Sequence, residues 1–443
     1  MRRSLVNSKV TIRERLVLPR LGDVMDDNAE LLEVSEHDDE WLVAVLDFAD
    51  AFKHLSVAPE EQAYLSGRAW HIVFMYLVVL FGIGSGPLIW GRVAAAALRI
   101  TQAVLGARGR AECFVDDTIL ILRGKASEMQ TTLRVVILLW RTLGLQLAWR
   151  KVEKGLLVSW IGAQIELVPK LQQITVSIPQ EKVKQLQETC SEILNGRGMV
   201  DAKTLRTFAG RGSWMGGLLP QLRPFYRQFW GALAAPGHDK KKELVYVRQV
   251  EPSVKWLMEL AKANNHGFSR TVCVAERGYW GPTMAADASP WGGGALLWLS
   301  WPAYARNEEP SHYLMVEWDA SHEKLISGKI GTPDHQASWE ALMYVLALRT
   351  WVSMHTKGQV TIIGDASGVI FDLVAMRAKS VVVNNLLKEA AMHLAPLGLD
   401  LFGVHIWSER NTAADELSRA SRERRLPAWL ARSSAQRTTP YVS

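Results

Sequence analysis

Residues 112–122 read ECFVDDTILIL. Two adjacent aspartates, Asp116 and Asp117, interrupt a run that otherwise has the composition of a buried strand. Burying one unpaired carboxylate is costly, and burying two side by side costs more. The run is therefore expected to fold as strand, tight turn, strand, with the charge at the tip. Upstream, EWLVAVLDFADAF is a second apolar, β-rich run, with Asp47 near its end. If the two strands are sheet neighbours, three carboxylates converge. Such a cluster needs a cation, and oxygen-only ligands select a hard one: Mg²⁺, with Mn²⁺ able to substitute. Two such ions roughly 3.5–4 Å apart clamp the attacking and leaving oxygens of a phosphoryl transfer.

The totals bound the rest. A chain of 443 residues predicts two to four domains. Hydrophobic content of 48% and charged content of 22% are ordinary for globular proteins. The net charge of +6 is unevenly placed. Residues 150–250 hold 16 Lys and Arg against 8 Asp and Glu, so that stretch is +8 and the remainder near −2. A basic middle beside acidic flanks suits a polyanion groove next to carboxylate sites, or a solvated basic surface. Cys113, Cys190 and Cys273 show no CxxC spacing, which argues against zinc and a disulfide framework and for a reducing, intracellular setting, cytoplasm and nucleus not being distinguished. The basic N-terminus has no apolar core behind it and does not read as a secretory signal. Residues 72–90 carry no charge, but GIGSGP interrupts them. They are expected to form a buried strand, a turn and a buried helix start, not a membrane span.

Along the chain, GPLIWGRVAAAALRITQAVL predicts a helix, with Ser85 as N-cap and Pro87 in the first turn. KASEMQTTLRVVILLWRTLG predicts another, closed by Gly144. GLLVSWIGAQIEL returns to strand, giving an α+β layer of helices on an antiparallel sheet. From residue 168 the character changes to amphipathic helices in which Arg, Trp and Phe interleave. That mixture suits nucleic-acid contact, or an aromatic core with Arg at its rim. The stretch PGHDKKKE reads as a solvated turn. From about residue 275 a second α/β pattern begins: two strands around a turn in PTMAADASPWGGGALLWLS, an amphipathic helix in HQASWEALMYVLALRTWV, then strand–helix in QVTIIGDASGVIFDLV. A strand, loop and helix follow in LDLFGVHIWSERNTAADELSRAS, and the tail from 426 has a disordered composition.

That second pattern carries four more acids, each at the end of an apolar element: Asp287 after a strand, Glu340 on a helix, Asp365 ending a strand and Asp415 beginning a helix.

The blocks LDFADAF, FGIGSGP, FVDD, LGLQLAWRK and WIGAQIEL, in this order, resemble those of a reverse transcriptase, and are most similar to retrotransposon polymerases of the gypsy-like and DIRS-like kind. The four-acid pattern, with AADASPWGGGALL and HIWSERNTAADELSR, resembles a ribonuclease H active site. In the family pattern Trp407 stands in place of a proline and Ser408 in place of a glycine. The resemblance covers about residues 2–422. It implies a multidomain α+β and α/β chain: a palm with partial fingers at 1–167, a helical thumb and connection at 168–270, a ribonuclease H-like domain at 271–425 and a disordered tail at 426–443.

Residue by residue, the resemblance implies that Asp47, Asp116 and Asp117 hold catalytic Mg²⁺, with the Phe48 carbonyl nearby. It places Asp50, Ala51 and Phe52 along the incoming dNTP, Phe52 under the sugar. Gly82 would let the backbone approach the nascent pair. Lys151 would reach the leaving pyrophosphate, with Arg150 and Lys154 as competitors. Trp160 and Gly162 would grip the primer end. Asp287, Glu340, Asp365 and Asp415 would hold two Mg²⁺ for RNA cleavage, with the 2′-hydroxyl as the mark of RNA. His405 reads as a packed residue starting a strand. The implied partners are an RNA template, a DNA primer, RNA–DNA hybrid and dNTPs, with no membrane. The implied activity is RNA-directed DNA polymerase, a nucleotidyltransferase, with ribonuclease H, a hydrolase and endonuclease. The basic fingers strand that precedes LVLPRLGDV in the family is missing. The second expectation is thus a catalytically impaired, nucleic-acid-binding relic, or a fragment of a longer polyprotein.

Overall fold

In a computed structural model, the chain is described at residue 7 and residues 10–196, 198–234, 244–263, 267–274, 280–356, 359–399, 401–423 and 425–440. The charged turn at 236–243 and residues 1–6 lie outside these. In chain order the first strands are β1 (Glu40–Asp47), β2 (Ser66–Ala69), β3 (Ile72–Met75), β4 (Gly109–Phe114), β5 (Asp117–Gly124), β6 (Glu153–Gly155), β7 (Leu157–Trp160), β8 (Ala163–Val168) and β9 (Gln173–Ile178). A ribbon of β10 (Met199–Asp201) and β11 (Leu244–Tyr246) precedes β12 (Phe268–Cys273). Two compact units result, and the first is discontinuous: Met1–Gln180 with His266–Val274, and Glu181–Asn265 with Ala275–Ser443.

In the first unit, β4-β5-β1-β6 form one antiparallel sheet and β12-β9-β8-β7 another. The helix Gly86–Leu105 buries Trp90, Ala94, Ala97, Thr101 and Leu105, a stripe at helical spacing. The helix Ala126–Thr142 adds Met129, Val136 and Trp140. Ser85 sits at the N-cap but makes no capping bond, while Gly144 closes the second helix at φ +80°. The uncharged run 72–90 is strand, turn and helix as expected, but its strand is not buried: Ile72 and Val73 of β3 are each 69% exposed. Among the described residues β3 pairs only with β2, and no layer covers it. The segment Gly86–Arg108 is long and apolar enough to cross a membrane by length and composition.

In the second unit, β13 (Trp280–Ser289), β14 (Gly292–Trp298), β15 (His312–Glu317), β16 (Gln359–Gly364), β17 (Leu401–His405) and β18 (Gln436–Thr438) form one mixed sheet, in the order β17-β16-β13-β14-β15-β18. β13, β14 and β15 are antiparallel, whereas β16 and β17 run parallel to β13. The helix Gln336–Trp351 is buried on nearly every side, unlike the amphipathic helix expected, because it packs in the middle of the unit. The tail also departs from its composition: β18 runs parallel to β15, and the Trp351 indole N–H donates to Thr438 Oγ1 at 3.1 Å. The main-chain bonds of the sheet edge order a segment with little apolar content.

The aromatic middle is largely core. Phe208, Phe225, Tyr226 and Phe229 are buried, and Phe225 stacks on Trp256 at 3.5 Å. Its helices join the mixed-sheet part of the same unit through Arg223, which donates to the Ala375 carbonyl at 3.1 Å, and Asn384, which donates to Pro224 O at 2.9 Å. Arg206 and Arg211 remain exposed.

Candidate active sites

The first acid cluster is set by strand register. β1 and β5 are antiparallel neighbours, and Asp47 lies directly opposite Asp117. Phe114 pairs with Asp117 across β4 and β5, so the loop is two residues, Val115 and Asp116. Val115 takes φ +62°, a conformation that suits glycine in a hairpin and strains a β-branched residue. Three donors fix the carbonyls of this turn. The Trp90 indole donates to Val115 O at 2.6 Å, the Phe48 amide to Asp116 O at 2.9 Å and the Trp160 indole to Asp117 O at 3.2 Å. The Cys113 thiol also reaches Val115 O, at 3.2 Å.

Burial pushes the Asp116 carboxyl above its usual range, and the charge of Asp47 adds to this. Burial, then Asp116 and Asp47, do the same to Asp117. Asp47 is 4% exposed and its carboxylate is paired with Lys151. That pairing holds the Lys151 ammonium above its usual range. Lys151 lies on Asp47 because the segment before it is zipped to the end of β1: Ala148 N–H donates to Asp47 O at 2.8 Å.

The other residues singled out in the sequence fall into two groups. Phe48 and Phe52 are buried rings of the core. Phe48 meets Trp90 and Trp140 edge-on, and Phe52 meets Phe81 at 4.8 Å. Ala51 is buried beside them, while Asp50 is exposed and ion-paired with Lys53 at 2.7 Å. Gly82 takes φ +99°, and its carbonyl accepts from Asn7 at 2.7 Å. Trp160 is a buried core residue, and Ile161 and Gly162 form the two-residue turn between β7 and β8, both at positive φ.

The second cluster lies wholly in the second unit. Asp287 sits near the C-terminal end of β13 and Asp365 just beyond that of β16, adjacent parallel strands. The glycine run after Asp287 lets two helices approach β14. A Cβ on Gly293 would stand 2.4 Å from Met343 Sδ, and one on Gly294 would stand 2.4 Å from Leu417 Cβ. Those helices, Gln336–Trp351 and Thr412–Glu423, carry Glu340 and Asp415. All four acids line one cleft of about 940 Å³.

Neutral donors hold most of these carboxylates. Ser418 donates to Asp287 Oδ2 at 2.8 Å, Gln336 to Glu340 Oε1 at 3.1 Å and Ser408 to Asp365 Oδ2 at 2.7 Å. Asn411, buried, donates to Ala286 O at 3.2 Å. Arg419 instead grips Asp415 Oδ1 through Nε at 2.9 Å and Nη2 at 2.6 Å. Burial, reinforced by Asp415 and Asp365, lifts Asp287 to about 6. Burial, with Asp287 and Asp365, lifts Glu340 to about 7. His405 ends β17 rather than starting it. It is exposed, with its ring edge against Trp407 at 5.6 Å.

The donors are all oxygen, and burial with mutual repulsion raises Asp116, Asp117, Asp287 and Glu340, the chemistry a hard divalent cation relieves. As the side chains stand, no three His, Cys, Asp or Glu groups among the described residues form a ready ion-binding set. Lys151 and Arg419 each neutralise one acid of their cluster instead. Ser408, the fixing indole of Trp90, and Arg419 were not legible as site residues, and Trp160, read as a primer contact, instead fixes the Asp117 carbonyl. A serine in place of the family's glycine was the one signal for Ser408.

No family model matches the chain, and no curated protein matches it. Among solved structures, a foamy viral protease–reverse transcriptase in complex with double-stranded DNA is 11% identical, covering 90% of this chain and 61% of that one at a TM-score of 0.44. One in complex with an RNA/DNA hybrid is 12% identical, covering 85% and 45% at 0.40. A third, with double-stranded DNA, is 14% identical, covering 91% and 73% at 0.42. The chain thus spans less than two thirds of the first two.

Proposed function

We propose that the chain is a retroelement RNA-directed DNA polymerase with ribonuclease H activity. The observation that carries this is the register of Asp47 opposite Asp117, with Asp116 in a two-residue turn beside them. The ordered sequence blocks supply the reaction class, and a second set of four acids in one cleft supplies the second reaction.

In this reading Asp47, Asp116 and Asp117 would hold Mg²⁺ in the first site, and Asp287, Glu340, Asp365 and Asp415 in the second. Bound there, the ion would lower the charge on a phosphate and activate a 3′-hydroxyl or a water. The chain's own residues prepare both reactions. The turn carbonyls fixed by Trp90, Phe48 and Trp160 set where Asp116 and Asp117 point. Ser418, Gln336 and Ser408 orient three of the four acids by hydrogen bonds that cost no charge. Lys151 and Arg419 neutralise Asp47 and Asp415 and must release them for the acids to act together.

The test is primer extension on a poly(rA) template with Mg²⁺, beside RNA cleavage of a labelled hybrid. Asp116→Asn is expected to abolish extension and leave cleavage. Loss of both, or of neither, removes the two-site reading. A second reading, a non-catalytic nucleic-acid-binding protein, draws on the same lysine and arginine, which already occupy one carboxylate in each cluster. It requires hybrid binding without turnover in either assay.

A further inference from the structure

We propose that Arg422 and Trp291 form a grip for a phosphodiester strand at the rim of the four-acid cleft. This rests on the ribonuclease H reading of that cleft. The Arg422 guanidinium lies over the Trp291 ring, 3.9 Å from its centroid. Both residues line the cleft together with the four acids. Stacking fixes the plane of the guanidinium and leaves its N–H edge to a planar acceptor, and phosphate is the acceptor that this fork matches.

The grip answers an electrostatic problem. A floor of four carboxylates repels a polyanionic strand before any chemistry begins. In this structure Arg419 is engaged with Asp415 through Nε and Nη2, on the floor of the cleft and not at the rim beside Trp291. Among the described residues Arg422 makes no ion pair. It lies on the helix Thr412–Glu423, seven residues beyond Asp415, about 10 Å along the helix axis.

The full chain is assayed for RNA cleavage of a hybrid over a range of salt. Arg422→Ala is expected to raise KM about tenfold and leave kcat within about twofold. The plot of log(kcat/KM) against log salt should become shallower by about one. Trp291→Leu keeps the charge, so KM should rise with the salt slope unchanged. On the wild-type protein, hybrids carrying one neutral methylphosphonate at successive positions should show a single penalty site displaced from the cut. An unchanged KM and slope in folded Arg422→Ala, or no such site with the wild-type protein, overturns the grip alone. A wild-type chain that neither binds nor cleaves hybrid overturns the underlying reading, and the grip with it.

Discussion

The indole N–H of Trp90 donates to the carbonyl of Val115 at 2.6 Å, tying the second turn of a core helix to the strained residue of the aspartate turn. A β-branched residue at φ +62° persists only where its surroundings over-determine it. Trp90 is fully buried, so its donor has no water to fall back on. Trp90→Phe should cost about 1–3 kcal/mol, the loss of a buried hydrogen bond, plus a void on the side of the missing ring. Urea denaturation measures that cost. Primer extension should fall further than the loss of folded protein explains, because the turn no longer holds its angle.

Two glycines two residues apart in the helix Ala202–Leu218, and so on different faces, should respond oppositely. A Cβ on Gly212 would lie 1.7 Å from Tyr226 Cε1, and the ring is locked among Phe208 and Phe229. Gly212→Ala should therefore destabilise by about 1–3 kcal/mol despite its better helix propensity. A Cβ on Gly210 meets nothing within 4 Å. Gly210→Ala should stabilise by about 0.5–1 kcal/mol. Denaturant midpoints of the two variants decide both.

Asp27 and Glu112 are two further raised acids of the first unit, and the charge of Asp27 acts on Glu112. Burial lifts Asp27 to about 6, against the pull of Arg110 and with a push from Glu30. Burial and then Asp27 and Asp23 lift Glu112 to about 7. Raised acids bind protons more tightly in the folded chain, so their contribution is full below pH 4 and is lost as pH rises through 6 to 7. The fold should be less stable at pH 8 than at pH 5.5. Glu112→Gln should flatten much of that slope, as read from urea midpoints across pH.

Ser408 offers Asp365 a donor that glycine cannot supply. Ser408→Gly should raise the Mg²⁺ concentration needed for half-maximal RNA cleavage by roughly threefold to tenfold, the worth of one bond to a carboxylate. Titration of Mn²⁺ binding, followed without substrate, should weaken in step. An unchanged metal requirement would leave Ser408 a loop residue.

Much of this was legible in the sequence because its causes are local. Apolar runs on either side of Asp116 and Asp117 specify a hairpin, and the 3.6-residue stripe from Trp90 to Leu105 specifies a core helix. The acids were visible because charge at the end of an apolar element needs a reason. What escaped depends on partners distant in sequence. Ile72 and Val73 have the composition of a buried strand, yet only the fold decides that no layer covers them. The helix Gln336–Trp351 looked one-sided until a sheet and a second helix closed on it. Residues 436–438 have no apolar pattern and are ordered by main-chain bonds to β15. Lys151 was recognised as important and placed on pyrophosphate, but its contact here is with Asp47.

β12 pairs with β9 from Phe268 opposite Ile178 to Cys273 opposite Gln173, closing a sheet of the first unit with a strand made ninety residues later. At about 5–20 residues per second, a ribosome needs roughly 5–20 s to deliver it. Throughout that interval β9 presents a bare edge of amides and carbonyls, the state in which nascent sheets pair with the wrong neighbour. Synthesis of the inserted helices therefore sets a clock on the first unit, and slow codons between residues 181 and 267 should lower the yield of folded chain more than slow codons after residue 274.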